Sequence, residues 1–431
     1  MDLSRSRRRL DQIPRELYAA AGWLVTRAAL YLAATGHAPN PWRDEENADV
    51  SVVFSRWAQV LHGGHFPPTS DVSWQYPPAA AWVMLVPRHL ARWMGVDYAS
   101  AFFRLMLLVD LLTTVLLVLL ARRYGRWSGV FFWLGVIPLI GPMVLARFDL
   151  LTALSVAAFC LSRSPLLAGV FGGFGAALKV WPAVMALGVP WERRRLLRTV
   201  LGFVTGATVV TAGTMLLLPG GTGFLHAERG RGLEIESVAA FPFLLMEHTG
   251  SHRWTTGQSS GSIEVSGPGV KAVAGLMIWL SAAGLIALTA TVWRFRSRRR
   301  AAWAVEIPLV ALLILLVTSR VLSPQYMMWA AVLMAACLCY PDHRQKRAAR
   351  YLVAVVALTT LDYPIGFFDL MNGAPSGLEI VSLRNAALVV VLAVAWYGLL
   401  SRDHSTDAGT GTDTDETEDT MLVEDASGYP A

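Results

Sequence analysis

The residues of this sequence that could do chemistry are ionisable groups set into otherwise apolar stretches. An acidic run, Asp44-Glu45-Glu46, is followed by Asp49. A carboxylate beside apolar walls holds its proton more tightly than one in water, and so accepts a proton from a hydroxyl more readily. Any of the four could be such a base, and spacing alone does not choose among them. The plainer role for Asp49 is an N-cap or first-turn acid of an amphipathic helix over 50–62, which Gly63-Gly64 would end. Arg147 and Asp149 follow in Ala146-Arg147-Phe148-Asp149, where a structural pair or cap explains them as well as a site does. Lys179 stands in Leu178-Lys179-Val180-Trp181-Pro182; it either snorkels to the interface or binds a phosphate. Arg231 and Glu236 belong to one polar segment, and Arg320, Gln325 and Tyr326 to another. Tyr76 precedes Pro77-Pro78, a pair suited to starting a helix. His248 has no HxxH or HExxH spacing around it, so neither a metal nor a cofactor is predicted.

A carboxylate base opposite several cations suits transfer of a sugar from a lipid phosphate. The base takes the proton of the acceptor hydroxyl, and the cations stabilise the charge growing on the departing phosphate. On this reading Lys179, Arg231 and Arg320 are candidate donor-phosphate ligands. Tyr76, Arg147, Asp149, Glu236, Gln325 and Tyr326 are candidate substrate-binding residues.

The elements that must position these groups are membrane helices. The chain has 431 residues, of which 54% are hydrophobic and only 16% charged, too little charge to cover a soluble protein of this length. Apolar runs such as 105–120, 200–218 and 386–400 approach the roughly 20 residues that cross a bilayer core. None shows the weak alternation of a membrane β-barrel, so the expected fold is an all-α polytopic bundle. A pI near 9.4 invites a nucleic-acid reading, but the arginines are scattered at helix ends and mark topology instead. Basic loops at 122–126, 192–198, 294–300 and 342–350 are assigned to the cytoplasm, with a basic arm over 1–15. The first basic stretch leads into a long span without a small-residue cleavage site, which reads as a retained helix.

The chain then threads through about twelve membrane segments, near 16–36, 101–121, 127–145, 149–162, 165–178, 182–191, 196–218, 270–293, 302–320, 323–340, 350–366 and 380–400. The transmembrane domain is 16–400, with outer loops at 37–100 and 219–269. Segment 76–94, interrupted by Pro87, Arg88, His89 and Arg92, is placed in the outer interface. The short pair 165–178 and 182–191 reads as a broken, re-entrant unit. Residues 401–431 read as a disordered acidic cytoplasmic tail. Cys160, Cys337 and Cys339 sit in apolar segments and suggest no disulfide framework.

In their order along the chain these motifs resemble the polytopic GT-C glycosyltransferases, and within them glycosyltransferase family 87, the polyprenyl-phosphate-mannose-dependent mannosyltransferases of actinobacteria. The matching pieces are Asp49-Val50-Ser51-Val52, Tyr76-Pro77-Pro78, Arg147-Phe148-Asp149-Leu150, Ala177–Ala183, Arg231–Ser237 and Ser323–Tyr326. The resemblance implies an inverting transfer outside the cell membrane, from a polyprenyl-phosphate sugar to a lipid-linked or polysaccharide acceptor. It puts the base at Asp49, and Lys179, Arg231 and the Arg320 turn around the donor phosphate. The chain departs from the family at Val53, where a Tyr is frequent, in its acidic run 44–46, and in a Gly/Ser-rich loop over 251–269. The competing reading is a lipid or solute transporter. Two long outer loops speak against it, as does a lack of mid-span ionisable residues other than Asp110.

Overall fold

The computed structural model describes residues 14–67, 74–225, 231–259 and 261–401. The basic arm up to residue 13 and the acidic tail beyond Ser401 lie outside the described residues. The chain is a helical bundle. Among the described residues, six helices are long and apolar enough to cross a membrane: α1 (Arg15–Ala34), α5 (Tyr98–Tyr124), α9 (Arg193–Leu217), α11 (Val270–Arg294), α14 (Lys346–Thr360, continued by a π turn to Ile365) and α16 (Pro375–Leu400). Shorter apolar helices fill the bundle between them: α6 (Ser128–Ile140), α7 (Asp149–Leu161), α8 (Pro165–Leu178), α12 (Trp303–Val317) and α13 (Met327–Cys339). These positions match the spans read from sequence closely. Every residue of α13 is buried, as a helix hydrophobic all round should be when it forms the middle of a bundle.

The unit read as a broken pair is built around glycine. Gly169 and Gly173 on α8 face Gly202 and Gly206 on α9, each set with the four-residue spacing that lets two helices touch backbone to backbone. A Cβ on Gly169 would sit 2.1 Å from the carbonyl oxygen of Thr199, and one on Gly206 would sit 2.4 Å from that of Val170. Because 169 faces 199–203 and 173 faces 203–207, α8 and α9 run parallel. The intervening 3-10 segment, Trp181–Gly188, therefore carries the chain back along the length of α8.

Segment 76–94 becomes α4 (Ala80–Met94), entered through Pro77-Pro78. Its first half is buried nearly all round, including Val83, Met84 and Leu85, and Trp93 near its end is exposed. The chain also departs from a purely helical fold. The Gly/Ser-rich loop forms a hairpin of β2 (Thr255–Ser259) and β3 (Ser262–Ser266), and β1 (Leu233–Glu234) adds to β3, giving the antiparallel order β1-β3-β2. Period-two alternation in Ser262-Ile263-Glu264-Val265-Ser266 carries that signal, which the glycines and serines around it conceal. This sheet packs with α10 (Phe241–His248), α15 (Phe367–Met371) and the start of α16 on a small core of its own, including Leu233, Phe243, Val265 and Val381.

Two fully buried charge pairs correct the expectation that mid-span ionisable groups are lacking apart from Asp110. Arg27 of α1 grips Asp110 of α5 at 2.8 and 3.2 Å. The indoles of Trp23 and Trp133 donate to the same carboxylate at 2.6 and 3.0 Å. On α16, Arg384 bonds Asp362 at 2.9 Å. Each charge is matched inside the bundle, as buried charge must be.

Candidate active site

A cavity of about 980 Å³ opens among a π turn at Asp49–Phe54, the α8–α9 connection, the small sheet and the loop before α13. One continuous helical stretch supplies its acid. Helix α2 (Arg43–Ala48) passes into a π turn, Asp49–Phe54, and then into α3 (Ser55–His62). The helix starts well before the position the sequence suggested, so Asp49 is not its cap. Asp44, Glu45 and Glu46 are the first-turn acids, which the helix dipole favours, and this accounts for the unusual acidic run. A π turn inserts one residue into the helix and rotates the turns beyond it, a device frequent at functional sites.

The structure separates the four acids. Asp44 and Glu45 are exposed to solvent, away from the cavity. Glu46 is buried and does not line the cavity; Asn40 donates to it at 2.7 Å, and burial raises its pKa above the usual carboxylate range. Only Asp49 of the four lines the cavity. Its Oδ2 lies 3.2 Å from Nη2 of Arg147, whose Nη1 donates to the carbonyl oxygens of Glu46 and Ala146. The guanidinium is thus fixed by backbone and presented to a carboxylate that is 39% exposed.

Asp149, at the start of α7, turns out to be the partner of Lys179 rather than of Arg147. The ammonium sits 2.8 and 2.9 Å from the two carboxylate oxygens, and Trp329 donates to Oδ1 at 2.6 Å. Asp149 itself is buried behind the wall, while Lys179 lines the cavity. Four rings surround the ammonium at 4.8–5.7 Å: Phe148, Trp329, Tyr76 and Tyr326. Their electron-rich faces favour the cation where water is scarce. Tyr326 stacks on Trp329 at 3.8 Å and Trp329 on Trp181 at 5.4 Å, giving the cavity an aromatic flank.

The segment between α9 and α11 provides another wall. Arg231 lines the cavity and donates to Oε1 of Gln75 at 2.6 Å. Arg320 does not line it; its Nη1 bonds the carbonyl oxygen of Arg231 at 3.0 Å, and its own carbonyl accepts from the Glu234 amide at 2.9 Å. Arg320 therefore braces Arg231 and the start of β1. Glu234, part of the Arg231–Ser237 motif but given no role from the sequence, also faces the cavity and accepts from the Leu322 amide at 2.7 Å. Burial pushes its pKa up to about 7, although Arg231 and that amide oppose the shift. Glu236 lines the floor beside Arg384 (3.9 Å) and Asp362, and burial with the neighbouring Asp362 charge pushes its pKa well up. Gln325 and Tyr326 line the cavity. Tyr363, Trp181 and Trp329 were missed. The Asp362-Tyr363-Pro364 break in an apolar span was the available signal for the first of these.

The family model for glycosyltransferase family 87 matches residues 74–324. This chain belongs to that family. It is a membrane glycosyltransferase. The matched region takes in Tyr76, Lys179, Arg231 and Glu236, and begins after Asp49. No curated protein matches the chain. Among solved structures it is similar to ArnT from Cupriavidus metallidurans bound to undecaprenyl phosphate. The identity is 17%, over 89% of this chain and 76% of that one, with a TM-score of 0.44. A likeness of that size assigns no role to any residue.

Proposed function

We propose that the enzyme transfers a hexose, mannose in the first instance, from a polyprenyl-phosphate sugar to a glycolipid or polysaccharide acceptor on the outer side of the cell membrane, with inversion. The observation that carries this reading is the cavity's division of charge: Asp49 on one wall, Lys179 and Arg231 on the others. The acceptor hydroxyl gives its proton to Asp49 as its oxygen attacks the anomeric carbon from the face opposite the phosphate. The bond from that carbon to the phosphate oxygen breaks, and the electron pair leaves with the polyprenyl phosphate. Arg231, steadied through its carbonyl by Arg320, meets the growing negative charge, and Lys179 adds to the field from its aromatic cage. Arg147 orients Asp49. Tyr76, Gln325 and Tyr326 contact the sugar. Apolar residues deeper in the cavity, including Leu285, Leu312 and Leu316, suit the first isoprene units.

The basic loops and the two long outer loops support the sidedness. The test is transfer by purified protein from polyprenyl-phosphate-mannose, with polyprenyl-phosphate-glucose and polyprenyl-phosphate-arabinose beside it. Product from the mannose donor alone, lost in Asp49→Asn, supports the reading. Equal turnover of all three donors removes the mannose assignment, and an active Asp49→Asn removes the base.

A further inference from the structure

A second cavity, of about 230 Å³, lies at the other end of the bundle. Helix α8 connects the two: Pro165 edges this cavity, and Lys179 follows the far end of the same helix, about 20 Å away at 1.5 Å per residue. Five arginines from four separate parts of the chain line it: Arg123 from the end of α5, Arg163 before α8, Arg195 on α9, and Arg299 and Arg300 before α12. No Asp or Glu is among its described lining residues.

Arg300 is matched, since Glu306, which does not line the cavity, lies 3.0 Å from it. The other four make no ion pair among the described residues. Arg123 and Arg299 instead donate to the carbonyls of Leu161 and Gly188, at 3.1 and 2.7 Å, which fixes their forks in place. Burial and the nearby charge of Arg195 pull the pKa of Arg299 below its ordinary value, so the protein holds two like charges together. Topology alone asks only that arginines lie in loops on one side. It does not ask that they converge on one hollow and repel each other there. The rest of the wall, including Phe159, Val189, Pro190 and Val305, is apolar.

We propose that this cavity binds a phosphate group, supplied by the headgroup of an anionic phospholipid of the adjacent leaflet. Planar guanidinium forks match phosphate oxygens, and the apolar wall receives the first carbons of the lipid. A free phosphate shares this chemistry, and so do the carboxylates of Asp413, Asp415, Glu416, Glu418 and Asp419 in a more distant form.

The experiment is native mass spectrometry of the full-length protein equilibrated with an equal mixture of phosphatidylglycerol and phosphatidylcholine. Wild type should retain phosphatidylglycerol selectively. Arg195→Gln with Arg299→Gln should lose about tenfold of that selectivity. Arg193→Gln with Arg194→Gln removes the same charge from the same helix end outside the cavity, and should change it by less than about twofold. Arg163→Gln, an exposed side chain with no fold to disturb, should fall between the two. Equal losses in both pairs overturn the proposal, because ordinary surface charge then accounts for retention. Millimolar inorganic phosphate separates the sources: retention that persists identifies the headgroup, and competitive displacement identifies free phosphate. Retention that appears only when the five tail acids are changed to Asn and Gln means those carboxylates fill the cavity, and the proposal fails.

Discussion

Two carboxylate–guanidinium pairs in this protein are chemically alike and do opposite work. In the bundle, Asp110 receives Arg27 through two nitrogens and the indoles of Trp23 and Trp133, and both charges are about 1% exposed. At the cavity, Asp49 meets Arg147 at 3.2 Å and keeps 39% of its side chain open. The first carboxylate has its lone pairs occupied and has nothing left to offer a substrate. The second is oriented but still open on its cavity side. What separates an anchor from a candidate base is how many of its lone pairs the protein has already filled, not the identity of the pair.

Substitutions that remove the charge from each acid in turn sharpen that contrast. The largest effect belongs to Asp49→Asn. Sugar transfer should fall by about 10²–10⁴-fold, the usual contribution of a general base, while the melting temperature stays near that of wild type. A large stability loss with activity per folded molecule intact would show that Asp49 is an anchor too. Next comes Asp110→Asn, which strands a buried Arg27. A cost of about 3–5 kcal/mol is expected in denaturant titration, with transfer by the folded fraction retained. Replacing both partners, Arg27→Met with Asp110→Leu, should recover much of it.

A smaller effect concerns Glu234. Its pKa is raised in the folded state, so between the ordinary carboxylate value and about pH 7 the folded protein binds more protons than the unfolded one. Stability should therefore fall as pH rises through that window and level off above it. Glu234→Gln should flatten this part of the melting-temperature profile; an unchanged slope would mean that another group titrates there. The smallest effect is expected of Glu46→Gln. It sits three residues from Asp49 but turns its side chain out of the cavity, and transfer rates should stay within about threefold of wild type. A loss comparable to that of Asp49→Asn would return the choice of base to the acidic run.

The membrane helices were legible in the sequence because their signal is local. Apolar length and the position of arginines fall within single segments, and even the break between 165–178 and 182–191 shows as two runs too short to cross. The buried pairs were not legible, because their partners lie far apart in the chain. Arg27 and Asp110 are 83 residues apart, and neither span by itself reveals that the other will neutralise it. The choice between Glu46 and Asp49 was equally hidden, since it depends on helical phase and the π turn shifts that phase where it matters. Lys179 was visible as a misplaced cation. That Asp149 would hold it, inside four aromatic rings, required the fold. The hairpin in the Gly/Ser-rich loop was masked by residues that usually signal its absence.

The parallel contact of α8 and α9 has a mechanical meaning. With glycine opposite backbone at four levels, neither helix can slide along the other without driving a carbonyl into a Cα, so the two behave as a toothed rack meshed at a single setting. Arg195 rides near the start of one rod and Lys179 follows the end of the other. Meshed in this way, the two rods hold the Arg195 end of the bundle and the Lys179 end at a fixed separation.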